Sequence, residues 1–193
     1  RMAGVRHILT SRRDIGYYHT PRSLKLMRVL NRLTTRVTAN CQAAADAAVS
    51  LEGLDPAKID ILYNGVDQHR FDPSRQHDYI VPERFRDLPD RSRVVGMLAN
   101  YRPVKDYPLF LESAAAVAAS VPDAAFLLIG AGPQKAELEI LAERLGIASR
   151  VYFTNGEGPV PYWLQRIGIG CLTSSSEGFS NSILEYMAAG LPV

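Results

Sequence analysis

The residues best suited to chemistry lie near the C-terminus, in the run Ser174-Ser175-Ser176-Glu177-Gly178-Phe179-Ser180-Asn181-Ser182-Ile183-Leu184-Glu185. Its pattern is a strand end, a polar loop and a helix start, with Ser180 or Asn181 placed to cap the helix. The open backbone N–H groups of the first helical turn and the positive end of the helix dipole make a site for a phosphate or diphosphate, and Gly178 lets a ligand approach the main chain. Glu177 falls in the loop and Glu185 in the second turn of the helix. One carboxylate just outside the phosphate-binding turn and one just inside can accept hydrogen bonds from hydroxyl groups on either side of a bound diphosphate. A nucleotide sugar presents that pattern, with a ribose diol on one side and a hexose on the other.

A second cluster, Asn100-Tyr101-Arg102-Pro103-Val104-Lys105-Asp106, puts two cations on one loop after an apolar run. Cleavage of a sugar–diphosphate bond leaves negative charge on the departing group, and each charge-assisted hydrogen bond to it is worth about 1.5–3 kcal/mol. Arg102, Lys105 and a helix N-terminus can together stand in for a metal ion. The sequence has no Asp-x-Asp pair and no His/Cys cluster with ligand spacing, so neither a metal nor a cofactor beyond the substrate is expected. His7, His19, His69 and His77 show no relay spacing, and Cys41 and Cys171 read as buried free thiols.

The elements that must position these groups are legible in the periodicity. Helices are expected over 21–36 and 43–51 and strands over 35–39 and 59–63, followed by the Asn64-Gly65 turn. Between Asp67 and Arg93 the periodicity disappears amid prolines, aspartates and arginines, including Asp72-Pro73, which reads as a linker. Strands at 94–99, 124–129, 151–153 and 169–173 then alternate with helices at 107–120, 134–145, 160–166 and 181–189. Four βα units in a row imply a parallel sheet whose ligands bind beyond the carboxyl ends of the strands. Leu191-Pro192-Val193 reads as the start of a fifth strand, and both ends of the chain look cut.

The composition, 47% hydrophobic and 22% charged, is that of a soluble protein, and no apolar run is long enough to cross a bilayer. The chain is therefore expected to be cytoplasmic. Residues 1–40 carry nine basic side chains (Arg1, Arg6, Arg12, Arg13, Arg22, Lys25, Arg28, Arg32, Arg36) against Asp14 alone, an excess of +8 within a chain of net charge +2. The segment lacks the interleaved aromatics of a nucleic-acid surface. Leu26, Met27, Leu30, Leu33 and Val37 fall at helical spacing among the arginines, which suits core packing or peripheral contact with an anionic membrane.

The segment from Glu177 to Val193 closely resembles the Glu-x7-Glu signature of the family-four retaining glycosyltransferases of GT-B fold, also called glycosyl transferases group 1. Ile129-Gly130-Ala131-Gly132-Pro133 resembles their glycine turn, and Arg150-Val151-Tyr152-Phe153 with Asn155-Gly156 resembles the strand and loop where the base is held. Asn64-Gly65-Val66-Asp67 resembles the junction between their two domains. The resemblance runs from about Thr35 to Val193.

It implies an α/β fold: an incomplete Rossmann-like donor domain (94–193), preceded by the tail of a second, acceptor-side α/β domain (1–66) and a linker (67–93). It implies transfer of a sugar, with retention and without metal, from a UDP- or GDP-linked donor to a polysaccharide or lipid-linked acceptor. Glu177 would contact the transferred sugar, Glu185 the ribose, and the backbone of Gly178, Phe179, Ser180 and Asn181 the sugar and phosphates, with Gly130, Gly132 and Asn155 completing the donor site. The family usually has an arginine five residues before the lysine; here Asn100 stands there and Arg102 lies three before Lys105. The alternatives are a fragment that binds nucleotide sugar without transferring it, and a GT-B relative such as a sugar-nucleotide epimerase.

Overall fold

Two parallel sheets, each in its own unit, organise the chain in a computed structural model that describes residues 4–72, 74 and 79–193. The expectations that touch Arg1, Pro73 and His77 lie outside those residues. One unit runs up to Gly65 and takes in Ser176–Ser180; the other comprises Val66–Ser175 and Asn181–Val193.

In the first unit β1 (Leu9–Arg12), β2 (Arg36–Ala39) and β3 (Ile59–Ile61) pair in that order, all parallel. The helices α1 (Pro21–Leu33) and α2 (Gln42–Glu52) connect them. Pro21 opens α1 behind a capping box: the Thr20 hydroxyl accepts from the Ser23 N–H at 3.2 Å, and the Ser23 hydroxyl accepts from the Thr20 N–H at 2.8 Å. β1 has no apolar pattern (Leu-Thr-Ser-Arg), so the sequence did not announce it.

The expected stripe packs only in part: Val37, which lies on β2, is fully buried and Met27 is half-buried, but the three leucines are not. Leu26, Leu30 and Leu33 are exposed by 59%, 45% and 44%, whereas Leu24, Met27 and Asn31 turn inward. A buried polar knot sets this rotation. Arg12 forms a bidentate pair with Glu52, its Nη2 donating to the carboxylate at 2.7 Å, and the Asn31 amide donates to the same carboxylate at 3.1 Å. With Asn31 turned inward, its amide joins Arg12 on Glu52, which is 2% exposed. Burial alone would raise the Glu52 pKa, but these hydrogen bonds and the Arg12 charge hold it below its usual value.

In the second unit β4 (Val94–Leu98), β5 (Ala125–Ile129), β6 (Val151–Phe153) and β7 (Ile169–Cys171) form a parallel sheet in the order β6-β5-β4-β7. All five residues of β5 are buried, as expected of a strand covered on both faces by α3 (Tyr107–Ser120), α4 (Lys135–Arg144), α5 (Val160–Leu164) and α6 (Asn181–Ala188). The chain steps from β4 through β5 to β6 and then returns to place β7 on the other side of β4. The strand order therefore reverses between β4 and β7, which opens a crevice at their carboxyl ends.

The stretch expected as a linker contributes to this unit's core. It holds three short 3-10 turns, Gln68–Phe71, Glu83–Phe85 and Arg91–Arg93, and buries Phe71 and Phe85, with the Phe85 ring 4.7 Å from that of Trp163. Two isolated aromatics among charges and prolines carry no periodicity, so their burial was not legible. At the other end, Leu191–Val193 does not form a strand, although the Pro192 carbonyl accepts from the Gly170 N–H at 2.8 Å beside β7.

Candidate functional site

β4 and β7 part at the crevice, and α6 holds their ends. The fully buried Tyr186 hydroxyl accepts from the N–H of Leu98, the last residue of β4, at 2.6 Å, and donates to the carbonyl of Cys171, the last residue of β7, at 3.1 Å. One turn earlier on the same helix face, the Ser182 hydroxyl donates to the Leu98 carbonyl at 2.6 Å. The i, i+4 spacing thus ties both main-chain groups of Leu98 to α6 and fixes the helix's first turn beside the carboxyl end of β4.

A cleft of about 360 Å³ opens there, lined by Asn100 and Lys105 after β4, Gly130 and Ala131 after β5, Gly156–Gly158 after β6, and Ser182 of α6. Its walls are cross-tied. The Thr173 hydroxyl donates toward the carbonyls of Lys105 (3.0 Å) and Asp106 (2.9 Å), and the Ser175 N–H donates to the Val104 carbonyl at 2.9 Å. Asp106 takes a left-handed conformation (φ 47°) uncommon for a residue with a side chain, and caps α3 directly after Lys105. Buried Thr154, at the end of β6, accepts from the Gly130 N–H at 2.8 Å and donates to its carbonyl at 3.0 Å. Gly130 has no room for a side chain: a Cβ there would lie 2.0 Å from the Ala99 carbonyl oxygen. On the third wall the Trp163 indole N–H donates to the Glu157 carbonyl at 2.7 Å, while the Glu157 carboxylate pairs with Arg84 and accepts from the Asn155 N–H.

Of the residues singled out from sequence, Lys105 and Gly130 line the cleft. Arg102 is exposed and does not, and Gly132 packs against the backbone of Tyr101. Asn155 is exposed and accepts from the Lys135 ammonium. Asn181 is the first residue of α6, directly after Ser180. Glu185 lies one turn along, half-buried; desolvation raises its pKa and the charge of Arg70 partly offsets this. Glu177, Gly178, Phe179 and Ser180 belong to the first unit, where Phe179 packs on the cluster of Ala39, Cys41 and Ala44, its ring 5.9 Å from that of Tyr63. Asn100, Glu157, Trp163 and Ser182 were not singled out: each is an ordinary residue for its element until the crevice brings them together. Among the described residues no cluster of three or more His, Cys, Asp or Glu side chains could hold a metal ion.

The model of the glycosyl transferases group 1 family matches residues 92–193, which contain this cleft. The chain belongs to that family. Among relatives, the Vi polysaccharide biosynthesis protein VipC/TviE of Salmonella typhi is 29% identical over 141 residues, covering 72% of this chain and 24% of the relative. The lipopolysaccharide core biosynthesis mannosyltransferase LpsB of Rhizobium meliloti (strain 1021) is 29% identical over 157 residues, covering 77% of this chain and 44% of the relative. The chain thus spans less than half the length of either. The crystal structure of Anabaena HepE in complex with UDP and glucose superposes with a TM-score of 0.79 at 24% identity, covering 97% of this chain and 52% of HepE. The fold is that of the GT-B glycosyltransferases.

Proposed function

We propose that this chain carries the donor-binding part of a retaining group 1 glycosyltransferase. The enzyme would move a sugar from a UDP- or GDP-linked donor to an acceptor hydroxyl in the synthesis of cell-envelope polysaccharide or glycolipid, without a metal ion or cofactor. One observation carries the reading: Lys105 lines the switch-point cleft together with Ser182 of the first turn of α6, so a fixed cation and a helix N-terminus serve one ligand-sized space. A diphosphate seated there meets both. HepE, whose crystal structure holds UDP and glucose, shares the fold.

In this mechanism the acceptor hydroxyl attacks the anomeric carbon from the face the diphosphate leaves. The carbon–oxygen bond breaks with its electron pair on the nucleoside diphosphate, and a phosphate oxygen takes the hydroxyl proton. Lys105 and Arg102 stabilise the leaving charge, Glu177 orients the sugar and Glu185 accepts from the ribose. The backbone of Gly178–Asn181 holds the sugar and phosphates, and Gly132 and Asn155 shape the base side. This length of chain is expected to bind the donor without turning it over.

Calorimetric titration of the chain with UDP, GDP and their sugar conjugates in EDTA tests the reading. The expected result is metal-free binding to one of the two nucleotides, weakened about tenfold or more by Lys105→Ala and by Glu185→Ala. A folded chain that binds neither nucleotide refutes it.

The face of α1 favours one further element, peripheral contact with an anionic membrane at its cytoplasmic side. Leu26, Val29, Leu30 and Leu33 are exposed on one side, next to exposed Arg22, Lys25, Arg28 and Arg32. Co-sedimentation with phosphatidylglycerol vesicles, abolished by Leu26→Ser/Leu30→Ser, is expected; equal binding to phosphatidylcholine vesicles would argue against it.

A further inference from the structure

The residues after β1 form a tied turn that holds two aromatic rings in solvent. The Asp14 carboxylate accepts from the Gly16 N–H at 2.8 Å, and the His19 N–H donates to the Gly16 carbonyl at 3.0 Å, closing a turn with Tyr17 and Tyr18 at its corners. The two rings meet edge to face, 5.3 Å between centroids, and Tyr18 also leans on the His19 ring at 4.6 Å. Burial and the nearby Asp14 charge raise the Tyr18 pKa. Tyr17 and Tyr18 are nonetheless 55% and 58% exposed. Folding gains little from ordering aromatic rings that stay half in water, whereas a binding surface gains rigid contact area at small entropic cost.

The location sharpens this. The segment Ser176–Ser180 packs within the same unit, and a Cβ on Gly178 would lie 2.9 Å from the Arg13 carbonyl oxygen and 3.1 Å from the Asp14 Cα. The residue beside Glu177 therefore touches the corner where the tyrosine turn begins. That corner is also the carboxyl end of a strand in a parallel sheet, where such sheets bind ligands. The charge is one-sided. Arg13 and Arg22 are exposed and meet no carboxylate among the described residues. Asp14, the only acid of the first forty residues, is engaged by the Gly16 N–H.

The geometry points to the Arg13–Tyr18 turn as an acceptor-side platform for a negatively charged saccharide. The apolar face of a sugar ring lies on Tyr17, and its carboxylate or phosphate pairs with the Arg13 guanidinium. The assignment as an acceptor platform rests on the donor reading of Glu177–Glu185; the surface itself does not.

The test titrates the whole 193-residue chain with tetragalacturonate, glucose 6-phosphate and neutral maltotetraose, and separately with UDP. At least one anionic saccharide is expected to bind more tightly than maltotetraose, to weaken with salt, and to lose about tenfold in affinity in Tyr17→Ala and in Arg13→Gln. Tyr17→Phe, which keeps the ring, is expected to retain binding, and UDP affinity is expected to be unchanged in all three variants. Which anion binds distinguishes a carboxylate from a phosphate partner. Equal binding of maltotetraose, an affinity indifferent to Tyr17→Ala and Arg13→Gln, or no saccharide binding by a chain that still binds UDP overturns the platform. Tyr17-dependent saccharide binding by a chain that ignores UDP overturns the donor reading and the acceptor role with it.

Discussion

Replacing Tyr186 by phenylalanine deletes one oxygen atom and tests how the crevice is held. The ring stays: it packs over Gly170, where a Cβ would lie 2.6 Å from it, so no cavity opens. What disappears is the acceptor for the Leu98 N–H at 2.6 Å and a donor to the Cys171 carbonyl at 3.1 Å, both around a side chain with no solvent exposure. A buried N–H left without a partner costs about 1–3 kcal/mol, and the carbonyl, which has a second lone pair, costs less. The sum is about 2–3 kcal/mol, or a fall in Tm of roughly 6–10 °C for a unit of this size. Thermal unfolding followed by circular dichroism reads the shift. UDP titration reads its functional side, with weaker binding expected as the first turn of α6 loosens. Ser182→Ala removes the other tie to Leu98, so the double variant should be non-additive. A Tm within about 2 °C of the parent and an unchanged UDP affinity would refute the view that this hydroxyl ties the two strand ends to α6.

Gly130→Ala should destabilise by about 1–3 kcal/mol in urea unfolding and weaken UDP binding, because its Cβ would stand 2.0 Å from the Ala99 carbonyl oxygen. Arg12→Leu leaves the Glu52 carboxylate buried without its main partner and should cost about 3–5 kcal/mol; Arg12→Leu/Glu52→Leu should recover most of it. Burial raises the Glu185 pKa, so the folded state holds that proton more tightly than the unfolded state. Ionisation then costs stability, a penalty absent below the unfolded value of 4.5 and growing as pH rises through the folded value. Glu185→Gln should therefore melt above the parent at about pH 8 and level with it at about pH 3, and a gap that does not narrow in acid would contradict the assignment.

The second sheet was legible because buried parallel strands are continuous apolar runs: Val94–Leu98 and Ala125–Ile129 announce themselves, as does α3 between them. The first unit was less so. β1 alternates polar residues, and the rotation of α1 is decided by Asn31 and Glu52, a contact across 21 positions that no local pattern encodes. In the cleft, Lys105 and Gly130 could be singled out from residue type and their place after an apolar run. Asn100, Glu157 and Trp163 could not, because their place in the cleft follows from strand order, which brings three loops distant in sequence to one crevice. Phe71 and Phe85 make the same point for the core.

The five residues from Ser176 to Ser180 have a consequence for how the protein is made. They belong to the unit formed by the first 65 residues, although all of β4 to β7 is translated in between. A nascent chain emerging from the ribosome therefore offers β1, β2 and β3 early but cannot complete that unit until Ser180 has cleared the exit tunnel. Until then the surface that will receive Gly178 and Phe179 is open to chaperones. The segment that carries Glu177 joins its unit only after the strands of the other unit have been made.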